Sequence, residues 1–229
     1  MTDKIIAQAR SENRKALLES EAKSIIMEYG LTVPKFQLAT NEKEAAKIAE
    51  EIGFPVVAKI VSPEIIHKSD AGGVKVGLKT AADVEAAYKT IIENAKKYNA
   101  KANLLGVLVM EMAPAGTEVI VGAIKDPQFG ATIMFGLGGI FVEVLKDVTF
   151  KIAPVNIDEA KEMITGLKAA ALLKGYRNTP AADIDALAQI LVNVSKLLME
   201  HPEIAELDLN PIMAYAKGTN TVDARIILE

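Results

Sequence analysis

The chain has 229 residues, half of them hydrophobic, with no cysteine, no tryptophan and a formal net charge of −4. That size suits one large domain or two small α/β lobes built on aliphatic cores. Without cysteine there are no disulfides, thiolate metal sites or cysteine nucleophiles; no basic stripe offers itself to nucleic acid, and the apolar runs stop short of the ~20 residues of a membrane helix.

The opening MTDKIIAQARSENRK has no apolar signal segment, and Thr2 stands where myristoylation needs glycine, so a cytoplasmic location is expected. Residues 1–20 are expected to form a helical extension. Ser20 is placed to cap a helix over EAKSIIMEY stopped by Gly30, and Asn41 to cap EKEAAKIAEEI stopped by Gly53. Residues 55–61 and 73–79 read as two strands joined by a long loop. Ala81 to Lys97 is helical, with Val84, Ala87, Tyr88 and Ile91 on one face. LLGVLVMEM, TEVIVGAIK, GATIMF and VTFKIAPV read as strands, and residues 155–173 as one helix or two short ones. Thr179-Pro180 has the pattern of a helix start, a capping hydroxyl before proline. The helix it opens buries Ile184, Leu187, Ile190, Leu191, Val194, Leu197 and Leu198 and ends at Pro202. The tail AELDLNPIMAYAKGTNTVDARIIL alternates on both sides of KGTN, which predicts a hairpin. Alternating helical and strand patterns give an α/β class with α+β lobes. The polar stretch 94–103 sets the expected boundary between lobes over 21–100 and 101–229.

Five stretches could carry chemistry. Lys59 sits among apolar residues in PVVAKIV, so it either turns outward to water or meets an anion such as a nucleotide phosphate. In the following loop, Ala71-Gly72-Gly73 is either a plain turn or a place where amides approach an anion, because no Cβ intervenes. One of only two histidines, His67, shares that loop with Lys68 and Asp70. It is a surface residue or a nucleophile for phosphoryl groups. The segment EMAPAG, from Glu111 through Ala113 towards Glu118, is an ordinary turn or a strand end whose backbone reads an adenine edge. The glycines of GLGGIF lack the third glycine and the following helix of a dinucleotide fingerprint, which leaves a lid or a docking loop. Glu143 and Asp147 flank Lys146 as surface charges. Finally, Asp208 and Asn210 alternate on one strand face and Asp223 follows the turn, an oxygen set suited to Mg²⁺ with substrate phosphates.

Three segments in order, GFPVVAKIVSPEIIHKSDAGGVKVGLK, KDPQFGATIMFGLGGIFVEVLKD and ELDLNPIMAYAKGTNTVDAR, resemble the ATP-grasp β subunits of ADP-forming acetyl-CoA synthetases, the acetate–CoA ligases. The likeness runs from about residue 21 to the C terminus. The chain is also similar to the nucleotide-binding part of succinyl-CoA synthetase β. The resemblance implies an ATP-grasp fold of two lobes enclosing ADP or ATP. It implies that Lys59 contacts phosphates, that Gly72-Gly73 covers them, that Glu111 and Ala113 meet adenine and Glu118 the ribose, and that Asp208, Asn210 and Asp223 hold Mg²⁺. It further implies a separate CoA-binding α subunit carrying the first phosphohistidine, in an α2β2 assembly, with His67 as a second phosphoryl carrier. Lys68 would hold phosphoryl oxygens or Asp70 orient the ring. GLGGIFVE and Gly175-Tyr176-Arg177 are either plain surface loops or α-subunit contacts. Two other readings stay open: an ATP-grasp ligase joining a carboxylate to an amine, and a non-catalytic ATP-sensing module such as one detached from an acetyltransferase.

Overall fold

The computed structural model describes residues 1–139, 142, 144–176 and 180–229. The chain divides into two compact units. One holds Leu18–Glu21 and Pro34–Ala113; the other holds Met1–Leu17, Ala22–Val33 and Pro114–Glu229. The division therefore passes at Ala113-Pro114, whereas the polar stretch 94–103 lies inside the first of these units.

The unit containing Pro34–Ala113 has a four-stranded sheet in the order β1-β4-β2-β3, from β1 (Phe36–Ala39), β2 (Val56–Val61), β3 (Val74–Leu78) and β4 (Gly106–Glu111). All its pairings are antiparallel. Helices α3 (Glu42–Ile52) and α4 (Ala81–Tyr98) pack together on the sheet. Val56, Ala58 and Ile60 of β2 join Val107 and Val109 of β4 in the core beneath them, with Ile48, Val84, Tyr88 and Ile91 of the helices. The signals at the two ends of α3 act as the sequence predicts, and α4 adds a cap of its own. Asn41 accepts the Glu44 amide at 2.9 Å, and Gly53 stops α3 at φ 97°. Thr80 and Asp83 form a reciprocal capping box on α4. The four-residue β1 is an addition that its sequence, FQLA, is too short to announce.

The other unit has a six-stranded sheet in the order β10-β8-β5-β6-β7, with β9 also on β8. Its strands are β5 (Thr117–Asp126), β6 (Gly130–Leu137), β7 (Val148–Ile152), β8 (Ile204–Ala214), β9 (Thr219–Thr221) and β10 (Arg225–Leu228). Helices α1 (Thr2–Ser11), α5 (Ile157–Thr165) and α6 (Ile184–Glu200) belong to this unit, as does a 3₁₀ turn over Ala170–Lys174. Phe135, Ile133, Leu191, Val194 and Leu209 are at the centre of its core. The segment 155–173 is thus two short helices, α5 being opened by an Asn156–Glu159 capping box. Helix α2 (Glu19–Glu28) starts before Ser20, which lies inside it; Glu21 reaches back to the Leu18 amide at 2.8 Å and takes the capping role.

Two local expectations change. Thr179 lies outside the described residues, and α6 begins at Ile184, four residues beyond Pro180. Asp183 caps it, accepting from the Ala186 amide at 3.0 Å and from the Gly218 amide at 2.8 Å, while the Ala182 amide donates to Leu173. Those long-range bonds fix Ala182 and Asp183 outside the helix and outweigh the local proline signal. Asp147, expected at the surface, is buried and accepts the Lys168 and Ala169 amides at 2.9 and 2.8 Å; Glu143 lies outside the described residues. Replacing Asp147 by alanine strands two amides, so we expect a loss of about 2–3 kcal/mol, read as a shifted urea midpoint with unchanged slope. Among the described residues no helix is long and apolar enough to cross a membrane.

Candidate functional site

In the Pro34–Ala113 unit, β2 is an interior strand, so Lys59 cannot be the solvated lysine of an edge. Its neighbours in register are Val74 on β3 and Leu108 on β4. Alternation places it on the face opposite Ala58 and Ile60, and it is 5% exposed. Burial of an ammonium demands an anion, and Lys59 Nζ donates to Glu19 Oε1 at 2.9 Å. Lys68 Nζ stands 3.0 Å from the other oxygen, Oε2. Glu19 went unnoticed in the sequence because it lies 40 positions from Lys59 and looks like any first-turn glutamate of a helix.

The loop from Ser62 to Gly73 carries His67 exposed on its surface. Its glycines are explained by packing and bonding. A Cβ on Gly73 would lie 2.4 Å from Ile60 Cγ2, and one on Gly72, at φ 60°, 2.9 Å from Asn94 Nδ2. The amides of Ala71, Gly72 and Gly73 donate to the carbonyls of His67, Ser69 and Lys68. In this conformation those N–H groups serve the turn itself and are not held out for an anion. Glu111 closes β4 opposite Val56, and its Oε2 accepts weakly from the Lys35 amide at 3.4 Å. The Met112 amide donates to Pro55, and Ala113, half-buried, ends the unit.

In the other unit, an apolar hollow of about 350 Å³ is lined by Ala115, Gly116, Thr117, Pro180, Ala214, Tyr215 and Ala216. Gly116 allows the close approach of its backbone to β8, since a Cβ there would meet Ala214 O at 2.8 Å. Glu118 follows on β5, exposed, opposite Met213 of β8. The glycine-rich turn lies against it: the Gly138 amide donates to Glu118 O at 2.8 Å, and a Cβ on Gly138 would come 2.8 Å from Glu118 Cβ. Ile140, Phe141 and Glu143 of that turn, and Arg177 of the Gly175-Tyr176-Arg177 segment, lie outside the described residues.

Strand β8 brings the three oxygen-bearing residues into one neighbourhood. Leu207 and Leu209 point into the core, so Asp208 and Asn210 share the opposite face. Pro211 has no N–H, and the β5–β8 register shifts between Val119 and Val121, a bulge that falls at Asn210-Pro211. The chain beside this bulge breaks between β9 and β10, and Asp223 lies in that break, one residue after Val222 donates to Pro211 O at 3.0 Å. The tail is therefore a hairpin at KGTN whose return strand is split, and Asp223 sits in the gap of that strand. Burial pushes the Asp208 carboxyl above the usual carboxylate range; Arg225 works against the shift, and the charges of Asp223 and Glu206 add to it. Two carboxylates whose charges repel, on a strand face that also carries Asn210, suit a hard cation, which would relieve that repulsion. Among the described residues no group of three or more His, Cys, Asp or Glu side chains could hold a metal ion, so a cation here needs further oxygens from its ligand.

An ATP-grasp domain model matches residues 8–228. The β subunit of acetate–CoA ligase [ADP-forming] I from Pyrococcus furiosus is 54% identical over 98% of this chain and 96% of its own length. Acetyl-coenzyme A synthetase 1 of Ca. Korarchaeum cryptofilum, solved with coenzyme A and Ca-AMPCP, superposes with a TM-score of 0.98 at 49% identity, each chain covered in full. The same enzyme with coenzyme A and Mg-AMPPCP, its phosphohistidine segment pointing towards the nucleotide site, gives a TM-score of 0.88 at 47% identity with full coverage of both chains. Several other relatives are longer polypeptides, of which this chain matches about 30%. The chain belongs to the ATP-grasp family, among the β subunits of ADP-forming acetate–CoA ligases.

Proposed function

We propose that this chain is the nucleotide-binding β subunit of a cytoplasmic ADP-forming acetyl-CoA synthetase, interconverting acyl-CoA, ADP and phosphate with acid, CoA and ATP. The observation that carries this reading is an exposed imidazole, His67, on a loop whose next residue, Lys68, is held with Lys59 by one buried carboxylate. A phosphoryl group needs in-line placement and charge neutralisation more than covalent help from the protein, and this arrangement offers a nucleophile beside fixed cations.

In the proposed sequence a CoA-binding α subunit, in an α2β2 assembly, forms an acyl phosphate and takes its phosphoryl group on a histidine. The group passes to a ring nitrogen of His67 and then to the terminal oxygen of ADP. Lys59 faces the nucleotide phosphates. Gly72 and Gly73 shape the loop that covers them by close packing, not through free amides. Glu111 and Ala113 meet the adenine, and Glu118 takes the ribose. Asp208, Asn210 and Asp223 would hold Mg²⁺, which supplies charge neutralisation on the phosphate oxygens.

The test is label transfer from γ-labelled ATP in the complex with the α subunit. Acid-labile, base-stable label on this chain should vanish in His67→Ala while nucleotide affinity stays. Label that reaches the partner equally well in His67→Ala would reduce His67 to a loop residue. Nucleotide binding with no label on either chain would favour the ATP-sensing module or the amine ligase.

A further inference from the structure

We propose that Glu19 is a positioning residue that clasps the His67 loop to β2, acting through Lys68 and Lys59; the proposal rests on the phosphoryl-transfer reading above. The two ends of the loop have their own ties. Near its start Glu64 Oε2 accepts from the Ser62 hydroxyl at 2.9 Å and the Asn103 amide at 3.0 Å. Near its end Asn94 donates to Gly72 O at 3.1 Å, and Gly73 seats on Ile60. Between these ties Ile65 and Ala71 pack into the core, and beside His67 the charged side-chain anchor is Lys68.

Glu19 is built for that task. Its side chain is 1% exposed, against 6% for Lys59 and 20% for Lys68. It lies in the first turn of α2, where the helix end favours negative charge. Each carboxylate oxygen faces a different ammonium: Lys59 Nζ donates to Oε1 at 2.9 Å, and Lys68 Nζ makes an ion pair with Oε2 at 3.0 Å without hydrogen-bond geometry. The strand lysine and the loop lysine are thereby tied to one carboxylate. Transfer to ADP breaks the P–N bond on His67 and forms a P–O bond, with the imidazole keeping its electron pair. Glu19 neither touches those atoms nor moves a proton. It fixes where the loop stands when the bond changes, and a misplacement of about 1 Å in such a step costs on the order of 100-fold in rate.

The experiment compares Glu19→Gln, Lys68→Met and the double variant in the complex with the α subunit. Turnover and labelling are read beside hydrogen exchange over residues 62–73 and α6. Each single change should slow labelling on the order of 100-fold and speed exchange of the loop but not of α6, and the double variant should be no slower than either single. Lys68→Met leaves the Glu19–Lys59 pair in place, so it carries the test if Glu19→Gln fails to fold. Multiplying effects in the double variant, or loop exchange unchanged in Lys68→Met, would overturn the clasp. If the unaltered chain takes no label, the phosphoryl-transfer reading fails, and the exchange comparison still decides the clasp by itself.

Discussion

Replacing Lys59 by methionine should destabilise the protein by about 3 kcal/mol and lower nucleotide affinity by about 10–100-fold, and only the first loss should be recoverable. The stability loss comes from the partner left behind. Glu19 is buried to 1% of its side chain, and a buried ion pair broken on one side strands a charge at a cost of roughly 3–5 kcal/mol. Lys68 keeps its own contact with Glu19 and softens that cost towards the lower figure. Exchanging both partners for apolar groups of similar size is often neutral or stabilising. The double variant Lys59→Met, Glu19→Leu should therefore denature near the unaltered midpoint, with Lys68, the more exposed cation, released to water. The affinity loss has another origin. A hydrogen bond to a charged group contributes about 1.5–3 kcal/mol, and methionine offers phosphate nothing. Urea denaturation and ADP titration on the three proteins separate the two effects. A stable double variant that binds ADP as tightly as the unaltered chain would make Lys59 a purely structural residue.

Much of this was legible in the sequence because local chemistry fixed it. Asn41 and Gly53 act within a turn of their helix, and the faces of α4 and α6 follow from apolar spacing alone. The sheet residues Asp208 and Asn210 share a face because a strand alternates, which needs no tertiary information. What could not be read depended on distant partners. Glu19 differs from its neighbour Glu21 only in what folds beside it: one caps its own helix, and the other meets two lysines from β2 and the loop after it. Asp147 looked like a surface charge because nothing local marks the amides of Lys168 and Ala169 as its partners. Gly72 and Gly73 suggested an anion cradle for a sound reason, the missing Cβ, but the space is filled by Ile60 and Asn94. Asp183 shows the same competition from the other side, where a bond to the Gly218 amide overrode the Pro180 start signal.

Asp208→Asn should make the metal-free protein more stable at neutral pH while removing most of its Mg²⁺-dependent activity, two effects of opposite sign from one change. Burial, with the Asp223 and Glu206 charges adding to it, holds the Asp208 carboxyl above the usual range. A carboxyl with a raised folded-state pKa binds its proton more tightly folded than unfolded. The stability it contributes is thus present at low pH and is lost as pH rises from the ordinary aspartate value of about 3.9 through the raised one. At pH 7 the ionised group is a burden on the fold, and asparagine, of the same shape and uncharged, removes it. The gain in midpoint should therefore appear at pH 7 and shrink towards zero near pH 3. Mg²⁺ with nucleotide should reverse the order. It stabilises the unaltered protein by about 2.7 kcal/mol at a hundredfold excess over its dissociation constant, and stabilises the variant far less. Turnover at fixed Mg²⁺ should fall by about 100-fold or more, since the charge clamp on transferring phosphate is worth several kcal/mol. Asp223→Asn should act in the same direction with a smaller stability gain, because Asp223 adds to the Asp208 shift less than burial does. Thermal denaturation at pH 3 and pH 7, with and without Mg²⁺ and nucleotide, measures every one of these signs. An Asp208→Asn protein that loses stability at pH 7 without metal would mean that its carboxylate serves the fold, through the neighbouring Arg225, in preference to a cation.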